Sequence, residues 1–477
     1  MWNNTFSQNV KRITWQYIVN EAAFSSPAAE IERLNYRNEI LEFENYKKKD
    51  LPSISFTLNP LNINRSLKLL QHPEDGSYTY VEDFTLNSNA GVLIRQKISG
   101  TGGEVTLGSN LNYLSELSTS NQSFSTTPYT IGYSQQLLGG HKKNKLEKDL
   151  ACKKNVDAVN QFCVEMSGIQ QKSMTLYLKV CMAGMQKEAA LRNRNMLDTL
   201  LNIARIKYAN GQSTDYDYKQ VELQFENCKY DVIRSNSQFS TALNELKNFL
   251  QDESIKESSM VEMPIFNLPV RVEFDEALLY VSLYNPYAYS EEIKRLEAEQ
   301  SLLNARLKTK LNSNLSINHG VNQYAESFLD SYKKPNTRQS VSVSIQIPIC
   351  QWGINRNELE IAENTYQSKL LFIEQKQNDF LSQVHNRINA YNQGVVLLNV
   401  AENALNLANT QMSLITAKFA YGSSSVYEIN SSRKDLDVAM NQYYDAVNDV
   451  WSNYFEVRQL VLFDFIEQKP LINLFIN

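Results

Sequence analysis

The chain has 477 residues and a formal net charge of −5, which offers no basic face for nucleic acid. It contains no run of eighteen apolar residues, so no transmembrane helix is expected, whereas the weak alternating signal of a membrane-spanning barrel is not excluded. The eleven prolines and sixteen glycines are few, and no proline lies inside two long tracts, between Pro128 and Pro264 and between Pro348 and Pro470. That distribution predicts very long helices joined by short strand-rich regions.

The N-terminus, Met1-Trp-Asn-Asn-Thr-Phe-Ser-Gln, lacks the charged and then apolar layout of a signal peptide. Either the chain stays inside the cell or it is a processed form. The five cysteines are odd in number and lack CxxC spacing, which mildly disfavours a disulfide-built exported protein and favours free, buried thiols. The four histidines show no metal-ligand spacing, so neither a metal nor a cofactor is predicted.

The sequence repeats itself once along its length. Residues 15–27 and 274–286 each predict a short amphipathic helix, a capping Ser or Asn, and a Pro at the first position of a second helix. Alternating, strand-like residues follow in each copy, and a returning strand then leads into a very long helix. This shared order of elements indicates a duplication.

Each long helix is broken at a glycine, in Lys207-Tyr-Ala-Asn-Gly211 and in Lys418-Phe-Ala-Tyr-Gly422. The glycine is expected in the left-handed conformation that ends a helix, and the Ser, Thr or Asp after it can cap the next helix. The helices before the two glycines have nearly equal lengths, about 70 residues or about 100 Å at the α-helical rise. Each repeat is therefore predicted to contain an antiparallel helical hairpin about 100 Å tall.

Strict alternation marks the clearest strand, whose two faces carry Val341, Val343, Ile345 and Ile347 on one side and Ser340, Ser342, Ser344 and Gln346 on the other. A period of two is typical of a strand with one apolar and one water-exposed face, and if this strand crosses a membrane, its apolar face is predicted to contact lipid. From 355 to 419 apolar residues recur every three or four positions, as in a helix. We expect strand-to-helix hinges at Pro348 and Gly353, and at Gly139 and Gly140 in the first copy.

These patterns predict two structural repeats, 1–250 and 272–477, joined by a linker at 251–271. The first repeat would hold strands and a long loop at about 51–140 and a hairpin at about 141–250 with its tip at 208–217. The second would hold strands at about 311–349 and a hairpin at about 354–460 with its tip at 419–428. The extra stretch 62–123, rich in Asn, Ser, Thr and Gly, predicts an elongated loop with some added strand.

Two strands per repeat would give four per chain, too few to close a barrel, for which about eight is the minimum. Open sheet edges cannot face lipid, so several chains must share one barrel if these strands cross a membrane. Two thin hairpins also lack a compact core of their own and need lateral packing against other copies. The sequence therefore predicts an oligomer.

This layout resembles the TolC-like outer-membrane efflux proteins, the exit ducts of tripartite pumps and type I secretion systems. The resemblance rests on the duplication, on the helix starts at Pro27 and Pro286, on Ile347-Pro-Ile-Cys-Gln-Trp-Gly353, and on two tips of the form Y/F-x-x-G-x-x-S/T-x-x-[DE]. It implies a mainly α fold with a β-barrel portion. Three chains would form a twelve-stranded barrel in the outer membrane, continuous with an α-helical barrel.

The resemblance also implies the activity, the location and the partners of the chain. It would be a passive channel-tunnel that exports small molecules, such as drugs and toxic compounds, or secreted polypeptides. Its partners would be two further copies, outer-membrane lipid, a periplasmic adaptor (membrane fusion) protein, and an inner-membrane pump of the RND or ABC type. The location would be the outer membrane with a large periplasmic portion, with the signal peptide removed from this chain.

Site residues follow from the same resemblance, since the glycine loops would be periplasmic tips on which the adaptor docks, through Gly211, Ser213, Gly422 and Ser424. An acidic constriction would use Glu428 and Asp217. The chain departs from the family pattern at Ser431 in place of an acid, at Phe419 in place of a tyrosine, and at Ser424 in place of an arginine. The open alternatives are plain helix caps for the glycines and solvated first-turn acids for the carboxylates.

A second class of function is a soluble coiled-coil adaptor or scaffold of the cell envelope built on the same hairpins. The alternation at 340–347 favours the channel. Catalysis is the weakest hypothesis, because the sequence has no nucleophile–base pairing, phosphate-binding glycine loop or metal cluster.

Overall fold

The computed structural model describes residues 12–71, 76–117, 120–256, 260–261, 271–284, 287–347, 349–421 and 423–476. Contacts divide the chain into two compact units. The first, the helical unit, comprises Met1–Asn38, Asp157–Ala288 and Gln375–Asn477. The second, the sheet unit, comprises Glu39–Val156 and Tyr289–Glu374. Pro286, Pro348 and Gly422, named above as helix starts, hinge and tip, lie outside the described residues.

Six strands form one antiparallel meander in the order β1-β2-β3-β4-β5-β6. They are β1 (Ser53–Gln71), β2 (Tyr78–Ile98), β3 (Gly103–Glu116), β4 (Asn121–Gln136), β5 (Asn312–Ala325) and β6 (Asn336–Gln346). The outer edges of β1 and β6 have no partner strand among the described residues, and almost every residue of these two strands is exposed. The sheet is therefore open at both sides.

The strand count corrects the sequence analysis, which expected four strands per chain and a loop at 62–123. That stretch instead forms the outer part of β1, all of β2 and β3, and the start of β4. Its Asn, Ser, Thr and Gly residues are typical of loops. Here they occupy alternate positions, so they line one face of strands whose other face is apolar.

Among the described residues, seven helices are longer than ten residues: α1 (Pro27–Lys48), α2 (Gly140–Ala209), α3 (Asp215–Leu250), α4 (Phe274–Tyr284), α5 (Tyr287–Thr309), α6 (Ile354–Ala420) and α7 (Val426–Val461). Ser26 caps α1 ahead of Pro27, because its hydroxyl accepts the Ala29 N–H at 3.3 Å. Among the described residues, no helix combines the length and the apolar character that crossing a membrane requires.

The two hairpins have unequal arms. The outgoing helices α2 and α6 contain 70 and 67 residues, whereas the returning helices α3 and α7 contain 36 each. A 36-residue helix is about 54 Å long. The expected antiparallel hairpin about 100 Å tall is therefore wrong in its height, and only the tip half of each long helix has a returning partner. In the sheet unit α5 pairs instead with the starts of the long helices, through Lys153–Glu292 at 2.8 Å and Arg306–Glu363 at 3.2 Å.

The helical unit is held by an aromatic core. Tyr177, Tyr391, Tyr454 and Trp451 are buried there with residues from the N-terminal segment and the C-terminal segment. Two short strand pairs extend it, Arg12–Ile13 with Met260–Val261 and Phe463–Asp464 with Lys469–Pro470. The core thus joins both repeats in one body.

A buried ion pair at this core was not predicted from the sequence. Arg458 and Asp464 are only 4 and 6 % exposed, and Arg458 Nε lies 2.9 Å from Asp464 Oδ2. Arg458 also donates to Gln170 Oε1 at 2.7 Å, and Gln170 donates to the Val19 carbonyl at 3.1 Å. Asp464 accepts the Tyr454 hydroxyl at 2.7 Å. The network links segments that are far apart in the sequence.

All five cysteines are free, as expected, but the expected burial holds for only three of them, Cys163, Cys181 and Cys228. Cys152 and Cys350 are exposed. Burial raises the pKa of Cys163 and of Cys181 to about 12, so both stay protonated and unreactive at neutral pH.

Candidate functional site

The first candidate site is the loop at the end of α2, where Gly211 has the left-handed conformation that the sequence predicted, with φ +68°. The Gln212 N–H donates to the Lys207 carbonyl at 2.8 Å, and the Gly211 N–H donates to the Tyr208 carbonyl at 3.0 Å. This pair of hydrogen bonds is the Schellman arrangement, which satisfies the last carbonyls of a helix. Gly211 is exposed, and a Cβ added there would meet no atom within 4 Å.

The second loop, at the end of α6, repeats one of these two hydrogen bonds. The Ser423 N–H donates to the Lys418 carbonyl at 3.0 Å, which matches the Gln212–Lys207 bond of the first loop. The Ser424 hydroxyl lies 3.5 Å from the Ile415 carbonyl oxygen. The duplication seen in the sequence therefore extends to the hydrogen bonds of both tips.

Each returning helix begins with a capping box. The Thr214 hydroxyl accepts the Asp217 N–H at 3.2 Å, and the Asp217 carboxylate accepts the Thr214 N–H and hydroxyl at 3.3 and 2.6 Å. In the second tip Ser425 and Glu428 are paired in the same way, with Glu428 Oε2 accepting the Ser425 N–H at 2.7 Å. Such reciprocal bonds satisfy the free N–H groups at a helix start.

Both acids that the resemblance places at a constriction have a local structural role in these capping boxes. The hydrogen bonds from Thr214 hold the pKa of the Asp217 carboxyl below its ordinary value. An ionised Asp217 is therefore favoured in the folded tip. Its contribution to stability is present above the ordinary aspartate pKa and is lost as the pH falls through the lowered one. The cap and a charge facing a pore are compatible, because an ionised carboxylate can serve both.

Exposed tyrosines surround the tips, and the sequence analysis did not identify them. Tyr216 and Tyr427 occupy equivalent positions, two residues after the capping Thr214 and Ser425, and are 74 and 77 % exposed. Tyr421 is 89 % exposed. The signal was present in the aligned repeats, since a large aromatic residue recurs two positions after each cap. Exposed aromatic side chains of this kind are frequent anchors of protein interfaces.

The two tips meet in one hydrophobic cluster, which includes Leu197 and Leu200 of α2, Val221 of α3 and Ile429 of α7. The Ser213 and Ser424 side chains are partly buried beside this packing, rather than fully exposed. The cluster therefore packs the helices next to both tips of one chain against each other.

An arginine between the hairpins was also missed. Arg433 of α7 donates to Asp231 Oδ2 of α3 at 3.0 Å, and Asp437 Oδ2 lies 3.9 Å from Arg433 Nε. The side-chain amide of Asn193 on α2 satisfies its hydrogen bonds when its oxygen faces the guanidinium. In that orientation the oxygen accepts from Arg433 Nη1 at 2.9 Å. Burial raises the pKa of Asp437, although Arg433 opposes that shift. These groups border an open cleft of about 980 Å³ between the hairpins.

The predicted hinges are glycines with two different constraints. Gly139 has φ +81°, and a Cβ there would lie 2.4 Å from a methyl group of Leu307, so both conformation and space require glycine. Gly353 has φ +83° but open space around it. Gly140 is the first residue of α2.

One face of the sheet is mainly apolar across all six strands. Paired neighbours such as Ile54↔Ile94, Leu107↔Ile131 and Ile317↔Val341 share it. Its residues on β6 are the predicted Val341, Val343 and Ile345, which are exposed. The opposite face carries small polar side chains, Ser340, Ser342 and Ser344 among them. An exposed apolar face of this size marks contact with a membrane or another protein and disagrees with a soluble scaffold.

Within the part of the chain that the structure describes, no group of His, Cys, Asp and Glu is arranged to hold a metal ion.

Comparison with known proteins agrees with this architecture. The family model described as "Outer membrane efflux protein" matches residues 292–461. No curated protein matches the chain. Among solved structures, the Vibrio cholerae outer membrane protein VceC is similar with a TM-score of 0.66 at 12% identity, covering 94% of this chain and 95% of that one.

The Campylobacter jejuni CmeC outer membrane channel has a TM-score of 0.66 at 10% identity, and the match covers 94% of this chain and 85% of that one. A membrane protein from Pseudomonas aeruginosa has a TM-score of 0.66 at 13% identity, covering 94% and 90%. At these identities the structures show the shared fold. They confirm the mainly helical fold class that the sequence predicted, and the family model over residues 292–461 agrees with the resemblance drawn from the sequence.

Proposed function

We propose that this chain, which carries an outer membrane efflux protein domain at residues 292–461, is one of three identical subunits of a passive exit duct. The duct would serve an efflux pump or a type I secretion system and export small molecules or polypeptides. The observation that carries this proposal is the open sheet with one exposed apolar face, in the same chain as two helical hairpins with exposed tips.

The open sheet supports the assembly. In lipid the backbone N–H and C=O groups on the outer edges of β1 and β6 would have no hydrogen-bond partner. Each such group would destabilise the structure by roughly several kcal/mol. Pairing β6 of one chain with β1 of the next removes both edges and leaves the apolar face outside. The mass of the purified particle in detergent is expected to equal three chains. A stable monomer that keeps the helical content of the folded chain would contradict the proposal.

The tips support a docking role for a periplasmic adaptor, which an inner-membrane pump of the RND or ABC type would accompany. Gly211 and Gly422 would let another helical hairpin approach closely, with Ser213 and Ser424 beside them. Tyr216, Tyr421 and Tyr427 would supply the exposed aromatic contacts.

Replacing Tyr427 with alanine is expected to weaken adaptor binding by about tenfold, because truncating an interface aromatic commonly costs more than about 1 kcal/mol. Binding of the purified adaptor to the detergent-solubilised channel measures this. Tyr427→Phe keeps the ring and is expected to bind nearly normally. Tyr230→Ala, on α3 and 67 % exposed, is the matched control away from the tip. Unchanged binding after truncating Tyr216 and Tyr427 together would place docking elsewhere.

Glu428 is proposed to line a narrow acidic mouth, together with Asp217. Three copies around one axis would attract cations and repel anions. Glu428→Gln is expected to lower the cation preference of single channels in planar bilayers. Glutamine also serves in a capping box, so the helix start should persist and assembly should be unchanged. Ion selectivity identical to that of the wild type would locate the constriction at other residues.

A further inference from the structure

We propose that the β2–β3 hairpin crosses the outer membrane, so that each chain contributes six strands and a trimer closes a barrel of eighteen. The inference rests on the proposed trimeric channel and goes beyond it, because the family resemblance implies four strands per chain and twelve in total. The chemistry of each surface indicates what contacts it. Lipid acyl chains would contact the apolar face of the sheet, and another copy of this chain would pair with each open edge.

The hairpin lies inside the sheet and is not attached at its edge. The pairing of β2 with β3 runs from Thr85↔Glu116 to Ile98↔Gly103, without a register shift. On its other sides β2 pairs with β1 and β3 pairs with β4. Removing the hairpin from the barrel would leave β1 and β4 without their neighbours, and unpaired strand edges are not tolerated in lipid. Both strands therefore belong to the same wall as the other four.

The hairpin also has the facial pattern of that wall. Across the strands Ile94 of β2 lies opposite Ile54 of β1 and opposite Leu107 of β3, and Leu107 lies opposite Ile131 of β4. The intervening positions of the hairpin are mostly polar or glycine, namely Thr85, Asn87, Asn89, Gly91, Thr106, Gly108, Asn110 and Asn112. A strand with an apolar outer face and a polar inner face is what a water-filled membrane barrel requires.

The turn of the hairpin lies at the start of α2. His141 Nδ1 lies 2.7 Å from the Gly100 carbonyl oxygen, and Gln135 donates to the Thr101 carbonyl at 3.0 Å. Asn144 donates to the Ser99 carbonyl. The turn therefore lies at the same end of the sheet as the strand-to-helix junction. From there both strands extend for more than the 9–11 residues that span a bilayer.

At the opposite end, a charged pair marks where β1 and β2 leave the apolar region. Arg65 pairs with Glu82 across these two strands on the apolar face, whereas Lys68 pairs with Asp83 on the polar face. Charged residues on a lipid-facing strand are costly near the bilayer centre and tolerated near its surface. The membrane-spanning part of the hairpin is therefore its helix-side part, at about 84–98 and 103–116.

The extra hairpin has a consequence for cargo. Since an even number of strands is added, β6 of one chain remains antiparallel to β1 of the next, and the barrel can close. Barrel diameter rises roughly linearly with strand number, so eighteen strands give a pore about 1.5 times as wide as twelve. Barrels of 16–18 strands, roughly, enclose an open aqueous channel. The outer exit would therefore not be the narrowest part of the duct.

The test uses an environment-sensitive fluorophore on single cysteines in the full-length protein, with exposed Cys152 and Cys350 replaced by serine. The purified channel is placed in vesicles with brominated acyl chains, which quench only lipid-facing probes. Leu107→Cys on β3 is expected to be quenched as strongly as Ile131→Cys on β4, and Thr106→Cys should remain unquenched. If Leu107 and Thr106 behave alike, while Ile131 is quenched, the hairpin lies outside the membrane and the inference is wrong.

The reference strands separate this failure from failure of the proposed channel. If the chain forms no membrane barrel, probes at Ile131 and Val341 will also be unquenched. Should a fluorophore at Leu107 disturb folding, images of the unlabelled particle viewed along its symmetry axis decide the matter. A circumference of eighteen strands supports the inference, and one of twelve overturns it.

Discussion

Replacing Arg458 with methionine is expected to destabilise the folded chain by about 3–5 kcal/mol, because it leaves the carboxylate of Asp464 buried without its counter-ion. Methionine retains most of the length and apolar volume of the side chain, so cavity formation contributes little. Asp464 would keep its hydrogen bonds from the Tyr454 hydroxyl and from the Ile466 N–H at 2.9 Å. Those dipoles do not neutralise a full buried charge.

The loss would affect both repeats at once. Arg458 lies on α7, its acceptor Gln170 lies on α2, and Gln170 in turn donates to the backbone of Val19. Burial, followed by the nearby Asp464 charge, raises the pKa of Tyr454 well above its ordinary value, so its hydroxyl remains a donor across the accessible pH range. Removing the guanidinium therefore leaves the negative charge of the Asp464 carboxylate uncompensated in a network of buried polar groups.

Denaturant titration of the detergent-solubilised protein measures the change, at a fixed protein concentration because assembly contributes to stability. Arg192→Met is the matched control. Arg192 also forms an ion pair, with Glu188 at 3.3 Å, but both side chains are 70 % exposed, and exposed pairs contribute about 0–1 kcal/mol. Adding Asp464→Asn to Arg458→Met should recover part of the loss. Equal, small effects of Arg458→Met and Arg192→Met would show that the buried pair is not a stabilising element.

The long helices and their tips could be predicted because their signals are local. A helix of 70 residues repeats its apolar spacing about 19 times. At the tips, Gly211 followed by Thr214 and Asp217 gives the stop and start chemistry within a few residues. The duplication doubled this signal, since the second tip has the same order.

The two added strands could not be recognised because their composition concealed their period. Asn, Ser, Thr and Gly are turn residues in most contexts. In a barrel wall they are also suitable residues for the water-filled side. Val92 and Ile94, or Val105 and Leu107, gave only short alternating pieces, and no local rule says which pieces pair. The register that places Ile94 opposite Leu107 is set by the tertiary structure and cannot be seen in either segment alone.

The same reason explains the missed networks. Arg458 and Gln170 are 288 positions apart, and Arg433 and Asp231 are 202 apart. Side-chain pairs at such separations depend on how the two repeats pack, which the sequence pattern does not specify. The equal spacing of the two tips also suggested equal hairpin arms, although spacing along α2 and α6 says nothing about where α3 and α7 end.

A lysine in place of Val341 is expected to destabilise the assembled channel by about 2–4 kcal/mol, whereas a lysine at Ser342 should cost little. Val341 lies near the middle of β6, opposite Ile317, on the apolar face and 72 % exposed. Ser342 is the next residue on the same strand, lies opposite Ser316, and belongs to the polar face. The two variants thus place the same charge at adjacent positions of one strand, and they differ in the face of the sheet from which the lysine projects.

The physical reason is the solvent that each face meets. At the bilayer midplane an ammonium group loses its hydration and can only be accommodated by bending toward the surface. On the inner face the same group stays in water. Denaturant unfolding of the channel reconstituted in vesicles, with all variants at one lipid composition, compares the two substitutions. If Val341→Lys and Ser342→Lys are equally tolerated, β6 does not lie in a membrane. If Ser342→Lys is the more costly, the two faces of the sheet are reversed.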